Sequence, residues 1–320
     1  MSIYFDFSIF NGEYFDFSII AFAAVVGILT AVCAVLLGTH LVLKRYSMIG
    51  DGLSHVGFFA LSLAAVMGVS NGNTAYVTVP IVIIAAFLLM RMSESGKIKG
   101  DSATALVSTG AVALGYILFS IAKSGAGDVC AGLFGASILT LNASDLWLSI
   151  VLSAIVLITY ILIYNKIFSA TFDEEFSSAA GISVKGCNLI LAVLTAITVV
   201  AGMKLIGSIM ISALIVIPAI TAMKLYKSFK AVIISAVIIS LSCFILGFIF
   251  AVTFVVETAG GVIMLPVGAT IVVFDIISLF GVSIYKKSNS RRCFKNENQD
   301  YVYLYGMHRV RSRALQKYGH

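Results

Sequence analysis

Long runs of apolar residues dominate this sequence and leave the chain few ways to fold. Of its 320 residues, 60% are hydrophobic and only 11% are charged. Soluble domains carry about 25% charged residues because their water-facing surface must be solvated. Lipid must therefore solvate much of this surface. A helix satisfies its own backbone hydrogen bonds, and alternating β-barrel segments are absent from the sequence, so an all-α polytopic membrane protein is predicted.

The apolar runs define the predicted membrane spans. A spanning helix needs about 20 mainly apolar residues to cross roughly 30 Å of hydrocarbon. Nine stretches approach or reach this length, but the third and sixth are short, so eight or nine transmembrane helices are predicted. The candidate spans are residues 18–43, 52–69, 75–90, 102–122, 146–164, 187–203, 205–223, 231–256 and 266–285.

Lysine and arginine residues concentrate in alternate loops, which predicts the orientation of the chain. If the N-terminus is outside, the far side holds only Lys123 and Lys204. The cytoplasmic loops then hold Lys44, Arg45, Arg91, Lys97, Lys99, Lys166, Lys185, Lys224, Lys227, Lys230, Lys286 and Lys287. The C-terminus is therefore predicted in the cytoplasm. The net charge of +6 indicates contact with anionic lipid headgroups and not with nucleic acid.

Three regions follow from this arrangement. Residues 1–17 form an extracytoplasmic N-terminal segment, and residues 18–285 form the transmembrane domain. Composition changes abruptly after that, because residues 286–320 are polar and basic with scattered tyrosines. This basic cytoplasmic tail is assigned no function.

Asp51 and His55 lie at the start of the second predicted span. In a helix this spacing puts both side chains on one face, where an oxygen and a nitrogen can approach one divalent ion. The pair suits Zn²⁺, Mn²⁺ or Fe²⁺. The alternative is structural: Asp51 caps the helix and His55 hydrogen-bonds a neighbouring helix. Two ligands do not complete a site, so the spacing leaves both interpretations open, although a homodimer could supply two more ligands.

Two further ionisable residues fall inside predicted spans: His40 near the end of the first and Asp275 in the ninth. An ionised carboxylate at mid-bilayer costs at least about 2.5–3.5 kcal/mol, so such residues usually face protein or a water-filled path. Both are candidates for contact with a transport pathway. Structural roles are favoured for each, as an interfacial histidine and as a carboxylate satisfied by a hydroxyl or backbone donor.

A polar segment between the fifth and sixth spans, residues 165–186, predicts a short cytoplasmic helix. Thr171 or Asp173 can cap it, and Glu174 and Glu175 suit its first turn. A helix that anchors to anionic membranes should be basic, so an acidic one favours docking into a partner protein. Its apolar side and its stop are predicted at Phe176, Ala179, Ala180 and Gly181.

Four ordered stretches resemble signatures of the zinc/manganese/iron ABC permease family. The first, LKRYSMIGDGLSH (43–55), has that family's basic pair, Ser-Met, Gly-Asp and following His at the family's spacing. The second, FDEEFSSAAGI (172–182), resembles its coupling segment. The others resemble its proline-containing helix and its last-span entry: KLIG through ALIVIPAITA (204–222) and LPVGATIV (265–272). The resemblance covers roughly residues 18–285, whereas residues 133–137 and the long tail depart from the family pattern.

The resemblance implies a function as well as a fold. It implies that Asp51 and His55 are metal-pathway residues in a homodimeric permease, served by two ATPase subunits and an extracytoplasmic metal-binding protein. The chain itself lacks a G-x-x-x-x-G-K-[ST] loop, so ATP hydrolysis belongs to the separate partner. No resident cofactor is expected, and zinc, manganese and iron remain alternatives as the transported ion. Coupling to the ATPase is implied at Asp173, Glu174, Glu175, Phe176, Ala180 and Gly181.

Other functions remain as alternatives. A proton- or sodium-coupled secondary transporter would use Asp51 and Asp275 as a relay and would need no docking helix. An ABC permease for a siderophore or vitamin would keep the docking helix and need no Asp/His pair. An intramembrane enzyme is disfavoured because H-E-x-x-H and G-x-S-x-G motifs are absent from the sequence.

Overall fold

The computed structural model describes residues 2–5, 17–69, 73–94, 100–122, 143–203, 205–258 and 261–287. This part of the chain is a helical bundle with one small sheet. Its helices are α1 Phe17–Leu43, α2 Met48–Val66, α3 Ala75–Glu94, α4 Gly100–Ile121, α5 Ala143–Phe172, α6 Glu174–Ala179, α7 Val184–Gly202, α8 Ser208–Leu225, α9 Phe229–Thr253 and α10 Val267–Lys287. Its strands are β1 Ser2–Phe5, β2 Phe254–Thr258 and β3 Gly261–Met264.

Eight of the described helices are long and apolar enough to cross a membrane, and the apolar part of α8, Met210–Leu225, is shorter. Contacts at both ends of α8 nevertheless place it beside α10. At one end, a Cβ on Gly268 would lie only 1.7 Å from the Ile206 carbonyl oxygen. At the other, Lys224 Nζ donates to Ser283 Oγ at 2.8 Å. α8 and α10 therefore run parallel to each other, and eight helices of spanning length lie within the predicted eight or nine.

The sheet was not anticipated from the sequence, and it links distant parts of the chain. β1 pairs antiparallel with β2 in the register Ser2–Glu257 to Phe5–Phe254, and β2 pairs antiparallel with β3. Because β2 directly follows α9, the N-terminal strand lies at the same face as the α9–α10 connection. If loops alternate between the two sides of the membrane as predicted, the N-terminus and the α9–α10 connection must lie on the same side. The assignment of that face to the outside stays a prediction.

Helix α5 is longer than predicted and changes the reading of the loop that follows. The sequence placed the span at 146–164, but α5 continues to Phe172, since polar Asn165 and Lys166 end the apolar run without breaking the helix. Thr171 was a candidate cap for the next helix. That alternative is wrong, because Thr171 lies inside α5 and its hydroxyl donates to the Ile167 carbonyl at 2.7 Å.

Helix α1 is the centre of the bundle and packs on α5, α7, α8 and α9. A Cβ on Gly38 would lie 1.9 Å from the carbonyl oxygen of Ile215, so α1 and α8 approach backbone to backbone, as small residues allow in membranes. The outward-facing surface of the bundle is apolar and exposed, as contact with lipid requires. Its members include Leu106, Tyr116, Ile161, Leu162 and Ile277. The prediction of a multi-pass membrane protein is confirmed.

Candidate functional site

Asp51 lies in the first turn of α2, which begins after a tight turn from α1. The N-cap residue is Ser47, and it makes no side-chain hydrogen bond to the helix. Asp51 is therefore not the capping residue that one interpretation of the sequence proposed. Its carboxylate remains near the positive end of the α2 dipole, which favours a negative charge.

The side chains of Asp51 and His55 meet on one face of α2, as their spacing predicted. His55 Nε2 lies 3.6 Å from Asp51 Oδ2, and Ser212 Oγ of α8 donates a weak hydrogen bond to Asp51 Oδ1 at 3.4 Å. The side chain of Asp51 is 45% exposed and that of His55 is 21% exposed. A carboxylate and an imidazole therefore face the same accessible space.

The pair supplies two ligands, which is fewer than a closed metal site needs. Structural zinc sites take four protein ligands, and among the described residues no group of three or more His, Cys, Asp and Glu side chains could hold a metal ion. Water or a second molecule would have to fill the remaining coordination positions. Incomplete coordination of this kind suits an ion in transit better than a resident one.

Helix α6 forms as its local sequence predicted. Asp173 is the N-cap residue, and its side chain accepts a hydrogen bond from the Phe176 N–H at 2.8 Å. At the other end, Gly181 has a φ of +80°, and its N–H donates to the Ser178 carbonyl at 3.1 Å. The Ile182 N–H donates to the Ser177 carbonyl at 2.9 Å, which completes a Schellman motif.

One side of α6 is held by the bundle and the other is open. Ser177 is buried, and its hydroxyl lies 2.8 Å from that of Ser169 on α5. Phe176 is 65% exposed, and the acidic first turn and the small residues near the stop are exposed beside it: Glu174, Glu175, Ala179 and Ala180. An exposed aromatic ring among acidic groups is the kind of surface that contacts another protein.

His40 lies in a closed environment at the end of α1. The residue is fully buried; its Nδ1 lies 3.0 Å from Thr171 Oγ1 and its Nε2 lies 2.9 Å from the Tyr160 hydroxyl. The rings of Tyr160, Tyr164 and Phe229 surround it at centroid distances of 5.3–6.5 Å. Any metal ion at His40 would have to displace one of the hydrogen-bonding partners.

Asp275 is fully buried in α10 and faces protein, as predicted. The expected hydroxyl or backbone donor to its carboxyl group is not found in the described part of the chain. Ser278 Oγ bonds the Asp275 backbone carbonyl instead, at 2.8 Å. The thiol of Cys243 on α9 is the polar side chain beside the carboxyl group, without the geometry of a normal hydrogen bond.

Two contacts of the site were missed at the sequence level. Lys44, taken as a topology signal and as part of the family's basic pair, has a nearly buried side chain that bonds Glu174 and Asn188, which lie 130 and 144 positions away. No local pattern can reveal partners so distant. Ser212, the hydroxyl beside Asp51, stands in an otherwise apolar stretch of α8, and that isolated polarity was an available signal.

Comparison with known proteins identifies the family of this chain. The model of the ABC 3 transport family matches residues 16–279. A probable metal transport system membrane protein of Treponema pallidum is 31% identical over 72% of this chain and 84% of its own length. The manganese import system permease protein ScaB of Streptococcus gordonii is 27% identical over 78% of this chain and 88% of its own.

A solved structure agrees with these sequence matches. The structure of PsaBC from Streptococcus pneumoniae in complex with Fab superposes with a TM-score of 0.68 at 25% identity, covering 83% of this chain and 91% of that one. The family match and the shared fold together confirm the resemblance to metal-ion ABC permeases that the four motifs indicated. The chain belongs to the ABC 3 transport family.

Proposed function

We propose that this chain is the membrane permease subunit of an ABC importer for a divalent transition-metal ion, which Asp51 and His55 contact in transit. One observation carries the proposal: a carboxylate and an imidazole lie 3.6 Å apart on a partly exposed face of α2. Placing such groups in an apolar bundle is costly, and a conduit for a hydrated cation gives a reason to keep them there.

The chemistry of the pair indicates the class of ion. One carboxylate oxygen and one imidazole nitrogen suit Mn²⁺, Fe²⁺ and Zn²⁺ better than alkali or alkaline-earth ions, which prefer oxygen ligands alone. The names of ScaB and of the T. pallidum relative, which refer to manganese and to metal, agree with this class. The pair accepts any of the three ions, and a delivery protein can choose between them.

The open side of the pair supports a homodimer. Two copies that bring their α2 helices together would offer two carboxylates and two imidazoles to one ion, which completes a four-ligand set. Asp51 is 45% exposed in the single chain, so the face needed for such an approach is accessible. An extracytoplasmic metal-binding protein would deliver the ion to the outer mouth of this seam.

The open face of α6 supports docking of a cytoplasmic ATPase. Phe176 is the exposed ring of that face, and Asp173 and Gly181 fix the ends of the helix. ATP binding and hydrolysis by the partner would move α6 and shift the bundle between outward and inward access. Energy would thus come from the partner, and the permease would supply the path.

Reconstitution tests the proposal. Proteoliposomes that contain the chain, its ATPase and its binding protein should take up radioactive manganese or zinc only with ATP, and Asp51→Asn should abolish uptake. Asp101→Asn is the matched control, because Asp101 is an exposed acid in the first turn of α4. Uptake by the permease without any ATPase would instead support a secondary transporter, and full uptake by Asp51→Asn would remove the pair from the path.

A further inference from the structure

We propose that Lys44 is a positioning residue that links the docking helix α6 to the ion-contacting helix α2, so that movement of α6 reaches Asp51 through the Lys44–Glu174 ion pair. The inference rests on the proposed function. It adds a specific mechanical connection that neither the motifs nor the family match assigns.

The first observation is the environment of the Lys44 ammonium group. Its side chain is only 4% exposed. Nζ lies 3.0 Å from Glu174 Oε1 and 2.5 Å from Asn188 Oδ1. The Glu174 side chain is 59% exposed, so water partly screens the pair, but the ammonium itself is enclosed and is destabilised when it loses an acceptor. Lys44 should therefore follow Glu174, the first residue of α6, and Asn188 in α7 when these move.

The second observation is a parallel contact one helical turn earlier. His40 and Lys44 are four positions apart at the end of α1, and therefore lie on the same face. His40 Nδ1 contacts Thr171 Oγ1 at 3.0 Å in the last turn of α5, while Lys44 holds the start of α6. These two contacts at successive turns hold the end of α1 against the end of α5 and the start of α6.

The third observation is the stiffness of the turn from Lys44 to α2. Arg45 has a φ of +61°, a conformation that side chains rarely adopt. The Arg45 N–H donates to the Val42 carbonyl at 3.1 Å and the Tyr46 N–H to the Leu41 carbonyl at 2.8 Å, which is a Schellman motif with arginine at the position that glycine usually takes.

This turn is short as well as stiff. The Ile49 N–H donates to the Tyr46 carbonyl at 3.1 Å, so hydrogen bonds run from the end of α1 into the first residues of α2. Asp51 lies in the first turn of α2. A displacement at Lys44 therefore reaches the metal-contacting carboxylate without an intervening flexible loop.

Exchanging the charges of Lys44 and Glu174 tests the ion pair separately from the stability of the fold. We would compare Lys44→Glu, Glu174→Lys and the double exchange in proteoliposomes that contain the complete complex. Each single change places like charges together, so the number of ions moved per ATP should fall at least about tenfold. ATP hydrolysis should continue in Lys44→Glu, whereas Glu174→Lys also alters the docking face of α6 and is compared only in complexes that have assembled. The double exchange should recover most of that ratio, since the pair is restored with opposite polarity.

Controls distinguish coupling from damage. Lys185→Glu reverses an exposed charge at the same end of the bundle and should leave the ratio unchanged. If Lys44→Glu loses hydrolysis and uptake in parallel with loss of assembled complex, Lys44 is merely structural and the inference is overturned. An unchanged ratio in both singles, or a double exchange that recovers nothing, overturns it as well.

The same assay separates this inference from the function it rests on. Wild-type and Asp51→Asn complexes are measured beside the exchanged variants. If Asp51→Asn loses uptake while Lys44→Glu and Glu174→Lys keep their ratio, the mechanical link alone is wrong. If Asp51→Asn transports normally, the proposed function is wrong.

Discussion

His40 and His55 lie in neighbouring helices, yet their surroundings are opposite. His40 is sealed, with a hydrogen-bonding partner at each ring nitrogen and aromatic rings around it. His55 is 21% exposed and faces the Asp51 carboxylate. A sealed imidazole has its nitrogens committed to the fold, whereas a partly exposed one can offer a nitrogen to an ion. Environment, and not residue type, thus separates the histidine that holds the bundle from the one that we propose contacts the ion.

The largest effect should come from His55→Gln. Removing one of the two proposed ligands of each chain should lower ion uptake by more than the loss of a group that only hydrogen-bonds a ligand, which costs about 10–100-fold in affinity or activity. Assembly with the ATPase should stay normal, because the side chain is partly exposed. Uptake at the wild-type rate would break the comparison, since His55 would then be no more functional than His40.

A large effect on assembly should come from Glu175→Lys. The change reverses one charge on the exposed face of α6 beside Phe176 and should abolish co-purification of the ATPase, as expected for an acidic docking surface. Lys166→Glu, at an exposed position near the end of α5, is the matched reversal. Normal complex formation with the Glu175 variant would count against docking at α6.

A moderate effect on stability should come from His40→Ala. A buried partner left without a hydrogen bond costs about 1–3 kcal/mol; the Tyr160 hydroxyl would lose its bond to His40, and Thr171 would keep only its bond to the Ile167 carbonyl. The melting temperature of the purified chain in detergent should fall clearly, while His55→Ala should change it little. If the two variants melt together, the distinction between sealed and open histidines fails.

The smallest effect should come from Asp275→Asn. Both carboxyl oxygens lack hydrogen-bond partners in the described part of the chain, so a neutral group of the same shape relieves the cost of burying an acid. Uptake should remain near wild type, and the melting temperature should stay equal or rise. Strong loss of uptake with intact assembly would instead place Asp275 on the ion path.

Features that depend on a few consecutive residues were predicted well from the sequence. The spans follow from apolar runs, and helix α6 follows from Asp173 as its cap and Gly181 as its stop. The meeting of Asp51 and His55 follows from helical periodicity. Each of these needs information from only a few consecutive residues, so a single sequence suffices.

Features that depend on distant pairing were not predicted. The strand at Ser2–Phe5 finds its partner near residue 257, and Lys44 finds Glu174, which lies 130 positions further along the chain. The partners of His40 lie 120 and 131 positions away. Only packing of the whole bundle brings these groups together, which is why His40 remained a pathway candidate at the sequence level.

Electron paramagnetic resonance of Mn²⁺ bound to the complete complex tests the central claim most directly. Pulsed measurements detect imidazole nitrogen in the first coordination sphere. We predict a nitrogen signal in the wild-type complex that disappears in His55→Gln and persists in His40→Gln. A signal that persists in His55→Gln, or that disappears only in His40→Gln, would contradict the account.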